Sequence, residues 1–592
     1  MLSFLVFEGD KPQADRVLRH AHILGPESVP VSGEIRFENG VIHCTKPTSE
    51  SGALGIQVGL DQQTVEELGL STRSEEDGVG VPGVLGQLTL RTCLLPERDR
   101  PYLLSLELAR HRLMLYLNKL EDWGLSALGA DHEITKLFER SRLAFTKALV
   151  AQGQAGHDSG LNAEGPAPYG FNAEAHRHAV RSLWLGVEAG ERLALEAARR
   201  EFTPRMDGTI YNDMVDRSPH PPASRQRATA PVLAVDRPGV ALPTRPAIGC
   251  SVSPASFGEA AQAAATKSLD YLQVPMRWIE MEPEEGKYAF RGTDQWIEWA
   301  VRRAKLPVVA GPVIDFRQRC IPEWLYVWEN DYDTLREFVY EHLKNLVTRY
   351  RRTIGRWVVL GGIHANDNFH FSFDEMMDLT RICVLVVRKL HPQAQVILEI
   401  THPWGEYHTK NRRSLPPMLY ADMVSQAGIT VDGFSLRVKM GQPAQGQSVR
   451  DLMEFSNLLD RYAGVDKPLS LTAVGVPSGM PEAAGDPELA DVHPGTWRAP
   501  WSPEHQADWL GAYSSVALSK PFIQSFTWQD LYDMPQPTEM PRGGLISTKG
   551  EPKPAADRLA EIRASVHDGV PPACLTEPDW LSRVGTDTSP VR

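Results

Sequence analysis

The feature that most constrains the fold is the alternation of short apolar segments with helical segments between residues 247 and 565. The apolar segments with the length and composition of strands are 248–252, 271–275, 308–314, 356–361, 395–401, 433–438, 469–474 and 522–528. Repeated strand–helix units are typical of a parallel sheet covered by helices. We therefore predict an α/β fold, a (β/α)8 TIM barrel, over residues 247–565. A doubly wound sheet alternates in the same way, but no glycine-rich phosphate loop follows the first strand, which favours the barrel.

The first half of the chain has a different pattern. Residues 1–97 contain short segments in which polar and apolar residues alternate, and the Asn-Gly pair at 39–40 is typical of a tight hairpin. We predict a β-sandwich-like domain there. In residues 98–203 the apolar residues recur at helical spacing, which predicts a helical connector. Residues 204–246 are rich in proline and are predicted to be a linker, and residues 566–592 a C-terminal tail.

Charge and cysteine content exclude several classes of function. The 592 residues carry 62 basic and 75 acidic side chains, a net charge of −13, so neither nucleic acid nor an anionic membrane is expected as a partner. No apolar run reaches the roughly 20 residues of a membrane-spanning helix, and the N-terminus lacks a basic region before its apolar run, so we expect a cytoplasmic protein. The cysteines form no CxxC pair, and the barrel segment has no HxH or HExxH spacing, so neither a metal nor a cofactor is predicted.

Several short motifs lie in order along the second half of the chain. They occur at 248–252, 274–290, 321–325, 354–359, 431–434, 527–528 and 544–555 and include Ile-Pro-Glu-Trp-Leu and Val-Asp-Gly-Phe. Together they resemble the family 10 glycoside hydrolases, the endo-1,4-β-xylanase family. The resemblance implies a TIM barrel that acts on an oligo- or polysaccharide. It also implies two glutamates at the barrel mouth, one serving as acid/base and the other as nucleophile.

The positions that align with those two glutamates carry no carboxyl group. The acid/base glutamate aligns with Gly362 in Trp-Val-Val-Leu-Gly-Gly-Ile, and the nucleophile aligns with Ala473 in Leu-Thr-Ala-Val-Gly. Shifting the alignment by one residue restores neither carboxyl group. Because glycine and alanine cannot transfer a proton or attack a sugar, we expect that the chain does not hydrolyse xylan by the family's retaining mechanism.

Other polar side chains lie where the strands of the predicted barrel end, and they are the candidates for a rebuilt site. The C-terminal ends of the strands form the site in a TIM barrel. The predicted catalytic carboxyl groups are those of Asp315, Glu399 and Asp530. The predicted substrate-binding residues are Arg277, His364, Asn366, His402, Trp404, Arg437, Lys439 and Trp528. The rings of Trp404 and Trp528 are expected to stack on sugars, because flat apolar faces suit sugar rings.

The same residues also have structural interpretations. Asp315 and Glu399 interrupt apolar strands, and an isolated buried carboxylate is costly. Each is therefore either functional or ion-paired with one of the basic residues Arg277, Arg437 and Lys439. The polar segment 364–368 is either a substrate loop or a solvated turn, since Asn and Asp favour turns.

Three classes of function remain open. The chain is an active glycoside hydrolase with a relocated carboxylate pair, a non-catalytic carbohydrate-binding protein, or a structural or interaction protein with a vestigial pocket. We favour a carbohydrate-active protein of the glycoside hydrolase type that acts on or binds an oligo- or polysaccharide in a rebuilt pocket. The N-terminal domain is by analogy a carbohydrate-binding module, although the first 100 residues contain no tryptophan and a structural or dimerisation role is as well supported.

Overall fold

The computed structural model describes residues 1–9, 11–13, 18, 20–60, 64, 83–158, 172–211, 245–317, 319–481, 492–534 and 539–577. Its N-terminal strands are β1 (Leu2–Leu5), β2 (Phe7–Glu8), β3 (Lys11–Pro12), β4 (His22–Leu24), β5 (Pro30–Val31), β6 (Glu34–Glu38), β7 (Val41–Thr45), β8 (Ala53–Leu60), β9 (Gly86–Arg91) and β10 (Tyr102–Leu103). One sheet has the order β10-β1-β7-β6, a second contains β9-β8-β4-β5, and β2 pairs with β3.

The predicted hairpin is confirmed between β6 and β7. These strands pair in antiparallel register, with Glu38 opposite Val41. The two residues between them, Asn39 and Gly40, have φ angles of 51° and 79°. Two consecutive positive φ angles are what a two-residue type I′ turn requires, and Asn-Gly is the pair that tolerates them best.

Helices follow the N-terminal sheets: α1 (Leu104–Asp122), α2 (Glu133–Asp158) and α3 (Ala173–Asp207). The Asn172 side chain caps α3 by accepting a hydrogen bond from the Ala175 N–H at 2.7 Å, and Gly208, with φ of 82°, ends it. The helix therefore continues past residue 203, where the sequence pattern predicted the end of the helical region. Most of the predicted linker, residues 212–244, lies outside the described residues.

The second half of the chain is a closed parallel barrel. Its strands are β11 (Ala247–Ser251), β12 (Tyr271–Val274), β13 (Val308–Ala310), β14 (Ile314–Asp315), β15 (Arg356–Gly361), β16 (Gln395–Ile400), β17 (Gly433–Lys439), β18 (Leu469–Gly475) and, after the short strand β19 (Thr496–Trp497), β20 (Ile523–Trp528). Neighbouring strands pair in parallel around the ring, and both β13–β15 and β20–β11 pairs are present, which closes it. Strand β14 continues β13 beyond Pro312 and also pairs with β15. The TIM-barrel prediction is confirmed.

Helices surround the barrel: α4 (Glu259–Ser268), α5 (Trp278–Met281), α6 (Arg291–Trp299), α7 (Tyr332–Tyr350), α8 (Phe373–Leu390), α9 (Pro417–Gln426), α10 (Leu452–Ala463), α11 (Pro503–Ser519), α12 (Pro554–Asp568) and α13 (Ala573–Thr576). Side chains cap several of them. Ser372 and Glu375 form a reciprocal capping box at α8, and Asp451 caps α10. These caps fix where the helices begin after the loops of the barrel mouth.

The N-terminal sheets and the barrel share one apolar core. Leu54 and Leu88 of the second sheet, Trp184 of α3 and Trp509 of α11 belong to the same buried cluster. The loop that follows β18 also connects the barrel to the N-terminal sheet, because its strand β19 pairs antiparallel with β9 of that sheet. The pattern of the sequence did not predict this pairing. The N-terminal region is therefore built into the barrel rather than appended to it.

A buried ionic cluster also joins α3 to the loop after β18. The Arg498 guanidinium donates to Glu188 at 2.7 Å and to Glu191, and all three side chains are at most 5% exposed. The Trp497 indole N–H donates to Glu191 at 2.8 Å. A buried ion pair of this kind needs both partners, because either charge alone is strongly disfavoured in the interior.

We expect Arg498→Met to lower the free energy of unfolding by about 3–5 kcal/mol, because it leaves the Glu191 carboxylate buried without its arginine. Urea denaturation of the full chain measures the change. Arg36→Met is the matched control, since the Arg36–Glu34 pair is exposed and such pairs contribute about 0–1 kcal/mol. Equal losses in the two variants would contradict a stabilising role for the buried cluster.

Candidate functional site

The C-terminal ends of the barrel strands bring together most of the predicted site. Asp315 ends β14, Glu399 lies near the end of β16, Lys439 ends β17, and Asp530 follows β20. In the ladder Asp315 pairs with Gly361, which pairs with Glu399. Since parallel strands lie about 4.8 Å apart, the Cα atoms of Asp315 and Glu399 are about 10 Å apart.

Two of the predicted catalytic carboxylates are bound by arginines. The Arg317 Nε donates to both carboxylate oxygens of Asp315, at 2.9 and 3.1 Å, and the Arg317 backbone N–H donates to Oδ1 at 3.1 Å. Burial alone would raise the pKa of Asp315, but the charge and hydrogen bonds of Arg317 outweigh it and hold that pKa below its ordinary value. Asp315 thus has an ion-pair partner that the sequence analysis did not name.

Glu399 has the partner that the structural interpretation expected. The Arg437 Nε donates to Glu399 Oε1 at 2.9 Å, and the Thr472 hydroxyl donates to Oε2 at 2.8 Å. Both carboxylate oxygens therefore have a donor. Thr472 precedes Ala473 on β18, so the strand that would carry the family's nucleophile supports Glu399 instead.

Glu539 is the central acid of the mouth, and the sequence analysis missed it. It follows β20 in the chain and is bound by Arg317, by Arg437 at 3.3 Å and by Lys439. Burial would raise its pKa, but these three positive charges lower the pKa well below its ordinary value. The only signal in the sequence is a carboxylate in the loop after the eighth strand, a loop that borders the mouth in any TIM barrel.

The backbone at Gly362 leaves no room for a side chain. Gly362 directly follows β15 and has φ of 73°, in the left-handed region. A Cβ atom added there would lie 2.7 Å from Arg317 Cγ and 3.1 Å from the Arg317 backbone N. Arg317 therefore occupies the space into which a glutamate at position 362 would extend.

Ala473 is also in an unusual backbone conformation. It has φ of 53° and is 1% exposed. The ladders of β18 with β17 and with β20 are both irregular beside it. Next to this irregular pairing, the Thr472 hydroxyl is directed toward Glu399. The Ala473 methyl group is buried and has no group that could ionise or act as a nucleophile.

A cavity of about 150 Å³ lies beside the ion pairs, and its polar lining includes Gln273, Arg277, Asp315, Arg317, Asp530 and Glu539. The Gln273 side chain is 1% exposed and donates from Nε2 to Gly311 O at 3.2 Å, while its buried Oε1 has no hydrogen-bond partner among the described residues. The Arg277 side chain is 37% exposed and lies 3.4 Å from Glu280. The lining residues thus include an amide whose acceptor is unused within the described part of the chain, and an accessible donor.

Asp530 differs from the other two predicted catalytic carboxyls. Burial raises its pKa to about 6, although Lys439 and Arg277 oppose the shift. Among the described residues its side chain has one contact at hydrogen-bond range, from Gln529 Nε2 at 3.5 Å. Asp530 therefore titrates near neutral pH and faces the cavity without a strong partner.

His364 and Asn366 are framework residues. The His364 ring is fully buried: Nδ1 lies 2.6 Å from the Tyr407 hydroxyl, and Nε2 accepts from the Thr401 N–H at 3.1 Å. The Asn366 amide donates to Phe371 O and Arg413 O and accepts from the Phe371 N–H. Every polar side-chain atom of both residues has a hydrogen-bond partner within the protein, and the predicted role of these residues in substrate binding stays a prediction.

His402 lies half-buried near the charged mouth. Burial lowers its pKa to about 4, and the nearby positive charge of Arg317 lowers it further. The ring is therefore neutral at pH 7, and its predicted role in binding stays a prediction.

The structure also defines the surroundings of the two tryptophans. Trp528 is fully buried, its indole N–H donates to Gly543 O at 2.9 Å, and its ring meets Trp509 edge-on. Trp404 lies under the Arg450 guanidinium and lines a small cavity shared with His22 of the N-terminal sheet. The described lining of the mouth cavity contains no aromatic side chain. Neither Trp404 nor Trp528 is in that lining, and the predicted stacking of these rings on sugar stays a prediction.

Residues 245–383 match the model of Glycosyl hydrolase family 10. This part of the chain is thus similar to the family 10 glycosyl hydrolases. The match begins just before β11 and includes Arg277, Asp315, Arg317 and Gly362. It confirms the resemblance seen in the motifs.

Solved structures with similarity to the chain include several xylanases. They include xylanase 10B from Thermotoga maritima (15% identity, TM-score 0.42, covering 55% of this chain and 97% of that chain). Xylanase 10B from Thermotoga petrophila RKU-1 in complex with xylobiose gives 15% identity and a TM-score of 0.41, covering 55% and 94%. The endo-1,4-beta-xylanase from Caldicellulosiruptor owensensis gives 16% identity and 0.41, covering 53% and 96%.

Two kinds of feature are absent from the described residues. None of the described helices combines the length and the apolar character needed to cross a bilayer. Within the described ranges, no three His, Cys, Asp or Glu side chains are grouped so that they could hold a metal ion.

We expect Gly362→Ala to destabilise the protein by about 1–3 kcal/mol more than Gly428→Ala, because only the former forces a Cβ against Arg317. The control is matched, since Gly428 has φ of 69° and nothing within 4 Å of an added Cβ. Thermal or urea denaturation of both variants measures the difference. Equal losses would show that Arg317 moves aside without cost.

The pH dependence of the free energy of unfolding should reflect the ionisation of the Asp530 carboxyl group. Because its folded-state pKa is raised, the folded protein binds the extra proton, so stability falls as pH rises from about 4 to about 6. We expect this fall to be smaller in Asp530→Asn by about 1–2 kcal/mol, a value reduced for the partial exposure of the group. Denaturation curves at pH 4, 5, 6 and 7 for wild type and variant give the difference. Parallel pH profiles would refute the raised pKa.

Proposed function

We propose that this protein is a carbohydrate-active protein of the glycoside hydrolase type whose barrel mouth binds an oligo- or polysaccharide. The observation that carries the proposal is the mouth cavity, whose lining combines Gln273, with a buried Oε1 that has no partner among the described residues, with the accessible Arg277 and with Asp530. A concave site with a few fixed donors and acceptors suits a ligand rich in hydroxyl groups. The family match of residues 245–383 supports the same class of ligand.

We propose further that the site does not use the family's retaining mechanism. That mechanism requires two carboxyl groups about 5–5.5 Å apart, one of them a free nucleophile. Gly362 and Ala473 supply none, and Asp315 and Glu399 are each held by an arginine. A carboxylate whose lone pairs are already bound to a guanidinium is a weak nucleophile.

Among the predicted catalytic carboxyls, Asp530 has the chemistry of a general acid. A pKa of about 6 keeps part of the group protonated near neutral pH, which is where proton donation to a leaving oxygen is efficient. Hydrolysis in this site would pair Asp530 as acid with Glu399 or Asp315 as the base that activates water. The inverting geometry, with about 6.5–9.5 Å between the carboxyl groups, leaves room for that water.

The second candidate is a saccharide-binding protein without turnover. The ion-pairing of Asp315 and Glu399 favours it, because a base that is committed to an arginine cannot readily accept a proton from water. Both candidates use the same cavity and differ only in whether a glycosidic bond is broken.

We expect calorimetry with a panel of oligosaccharides to detect binding that falls at least tenfold in Gln273→Leu, since the variant removes the acceptor for a sugar hydroxyl. If the protein is a hydrolase, Asp530→Asn should lower kcat by about 10²–10⁴-fold while binding is retained. Asp333→Asn, an exposed acid on α7, is the control.

The outcomes separate the candidates. Binding with product formation supports the hydrolase, and binding without product supports the non-catalytic protein. Absence of binding to every saccharide tested would overturn the proposal and favour a structural role for the barrel.

A further inference from the structure

The mouth contains a compact group of buried cations. We define the cation cluster as Arg317, Arg437 and Lys439, whose side chains are 11%, 8% and 3% exposed. Asp315 neutralises Arg317 and Glu399 neutralises Arg437. Among the described residues, Lys439 has Glu539 as its ion-pair partner. Without Glu539, three buried cations would face two carboxylates, so the cluster requires one further negative charge.

Glu539 supplies that charge from outside the cluster. It contacts all three cations, yet its own side chain is 31% exposed, the most accessible of the group. It is also the one member of the network that comes from the loop after β20 rather than from a strand end or the segment next to one. The position is therefore a carboxylate site, formed by the barrel and occupied by a loop residue at its solvent side.

Another carboxylate could accept hydrogen bonds from Arg317, Arg437 and Lys439 if it extended far enough to reach the position of Glu539. Guanidinium and ammonium groups bind carboxylate oxygens by charge-assisted hydrogen bonds, which are the strong ones. Arg317, Arg437 and Glu539 all line the mouth cavity, so a ligand in the cavity lies next to this position. A carboxylate on that ligand can take the place of Glu539 among the cations.

The remaining lining suits the rest of a sugar. Gln273 Oε1, which has no partner in the described part of the chain, can accept from one hydroxyl, and Arg277, with Glu280 at 3.4 Å, offers accessible N–H donors for another. A ligand with a carboxylate on one side and hydroxyl groups on the other matches both parts of the cavity. A uronic acid residue has this combination.

We infer that the saccharide bound in the barrel mouth is anionic, with the carboxylate of a uronic acid residue bound by Arg317, Arg437 and Lys439 in place of Glu539. The inference rests on the proposed function and narrows its ligand class. It assigns Glu539 the role of an internal competitor that keeps the cation cluster neutral when no ligand is bound.

The wild-type protein tests the inference without any mutation. Calorimetry compares glucuronic acid with glucuronamide, which has the same hydroxyl groups but no charge, and with acetate, which has the carboxylate alone. We expect glucuronic acid to bind at least tenfold more tightly than either and to weaken as salt is raised from 50 to 500 mM, because screening acts on the charged contact.

A variant then tests the role of Glu539. Glu539→Gln keeps the shape of the side chain and removes its charge, so we expect glucuronic acid to bind at least tenfold more tightly and glucuronamide to be unchanged. Glu284→Gln, an exposed acid that contacts Lys287, is the matched control and should leave both affinities unchanged. Circular dichroism and melting curves confirm that each variant is folded.

The possible failures are distinguishable. Equal binding of glucuronic acid and glucuronamide would overturn the inference and leave saccharide binding in place. Acetate binding as tightly as glucuronic acid would overturn the assignment to a sugar. If neither sugar nor any neutral oligosaccharide binds, the proposed function and the inference both fall.

Discussion

The packing of Arg317 against Gly362 determines the rest of the barrel mouth. Because Gly362 has no side chain, the aliphatic part of Arg317 can pack beside it, and the guanidinium binds Asp315 on one side and Glu539 on the other. Gly362 and Arg317 depend on each other: a side chain at residue 362 would displace Arg317, and without Arg317 the buried Asp315 carboxylate would lose its ion-pair partner. The absence of a glutamate at this position is thus part of an integrated arrangement rather than a single lost group.

The charges of the mouth form one continuous network. Arg317 links Asp315 to Glu539, and Arg437 links Glu539 to Glu399. Because each acid shares a cation with the next, removal of one charge alters the balance at all the others. Asp530 lies beside this network and has no short hydrogen bond among the described residues, so of these carboxyl groups it is the one best placed to exchange a proton.

The sequence could predict those parts of the fold and the site that depend on local interactions. Apolar strand segments and the Asn39-Gly40 turn have signatures within a few residues, and the barrel and the hairpin were predicted from them. Asp315, Glu399 and Arg437 were placed at the mouth because strand ends converge in a barrel. Arg317 and Glu539 were missed because their role depends on where a loop folds back, which no local pattern encodes.

The surroundings of the aromatic and histidine side chains could not be predicted for a related reason. Trp528 ends a barrel strand, but alternate residues of a strand face opposite sides, and its ring points to Trp509 in the helical layer. His364 lies in a polar segment after a strand, and its ring is hydrogen-bonded to Tyr407 and Thr401. The sequence shows the residue type and its proximity to a strand end, but it does not show the direction of the side chain.

The pairing of β19 with β9 makes the two halves of the chain mutually dependent for solubility. In its sheet β9 has β8 on one side and β19 on the other, and the Thr89 N–H donates across to Val449 O at 2.7 Å. Separated from the barrel, β9 would become an edge strand with its N–H and C=O groups open to water. Such an edge is a template for strand addition by other chains. The barrel thus protects the N-terminal sheet from self-association. If the two parts were exchanged between proteins as independent modules, the β9 edge would be left unpaired.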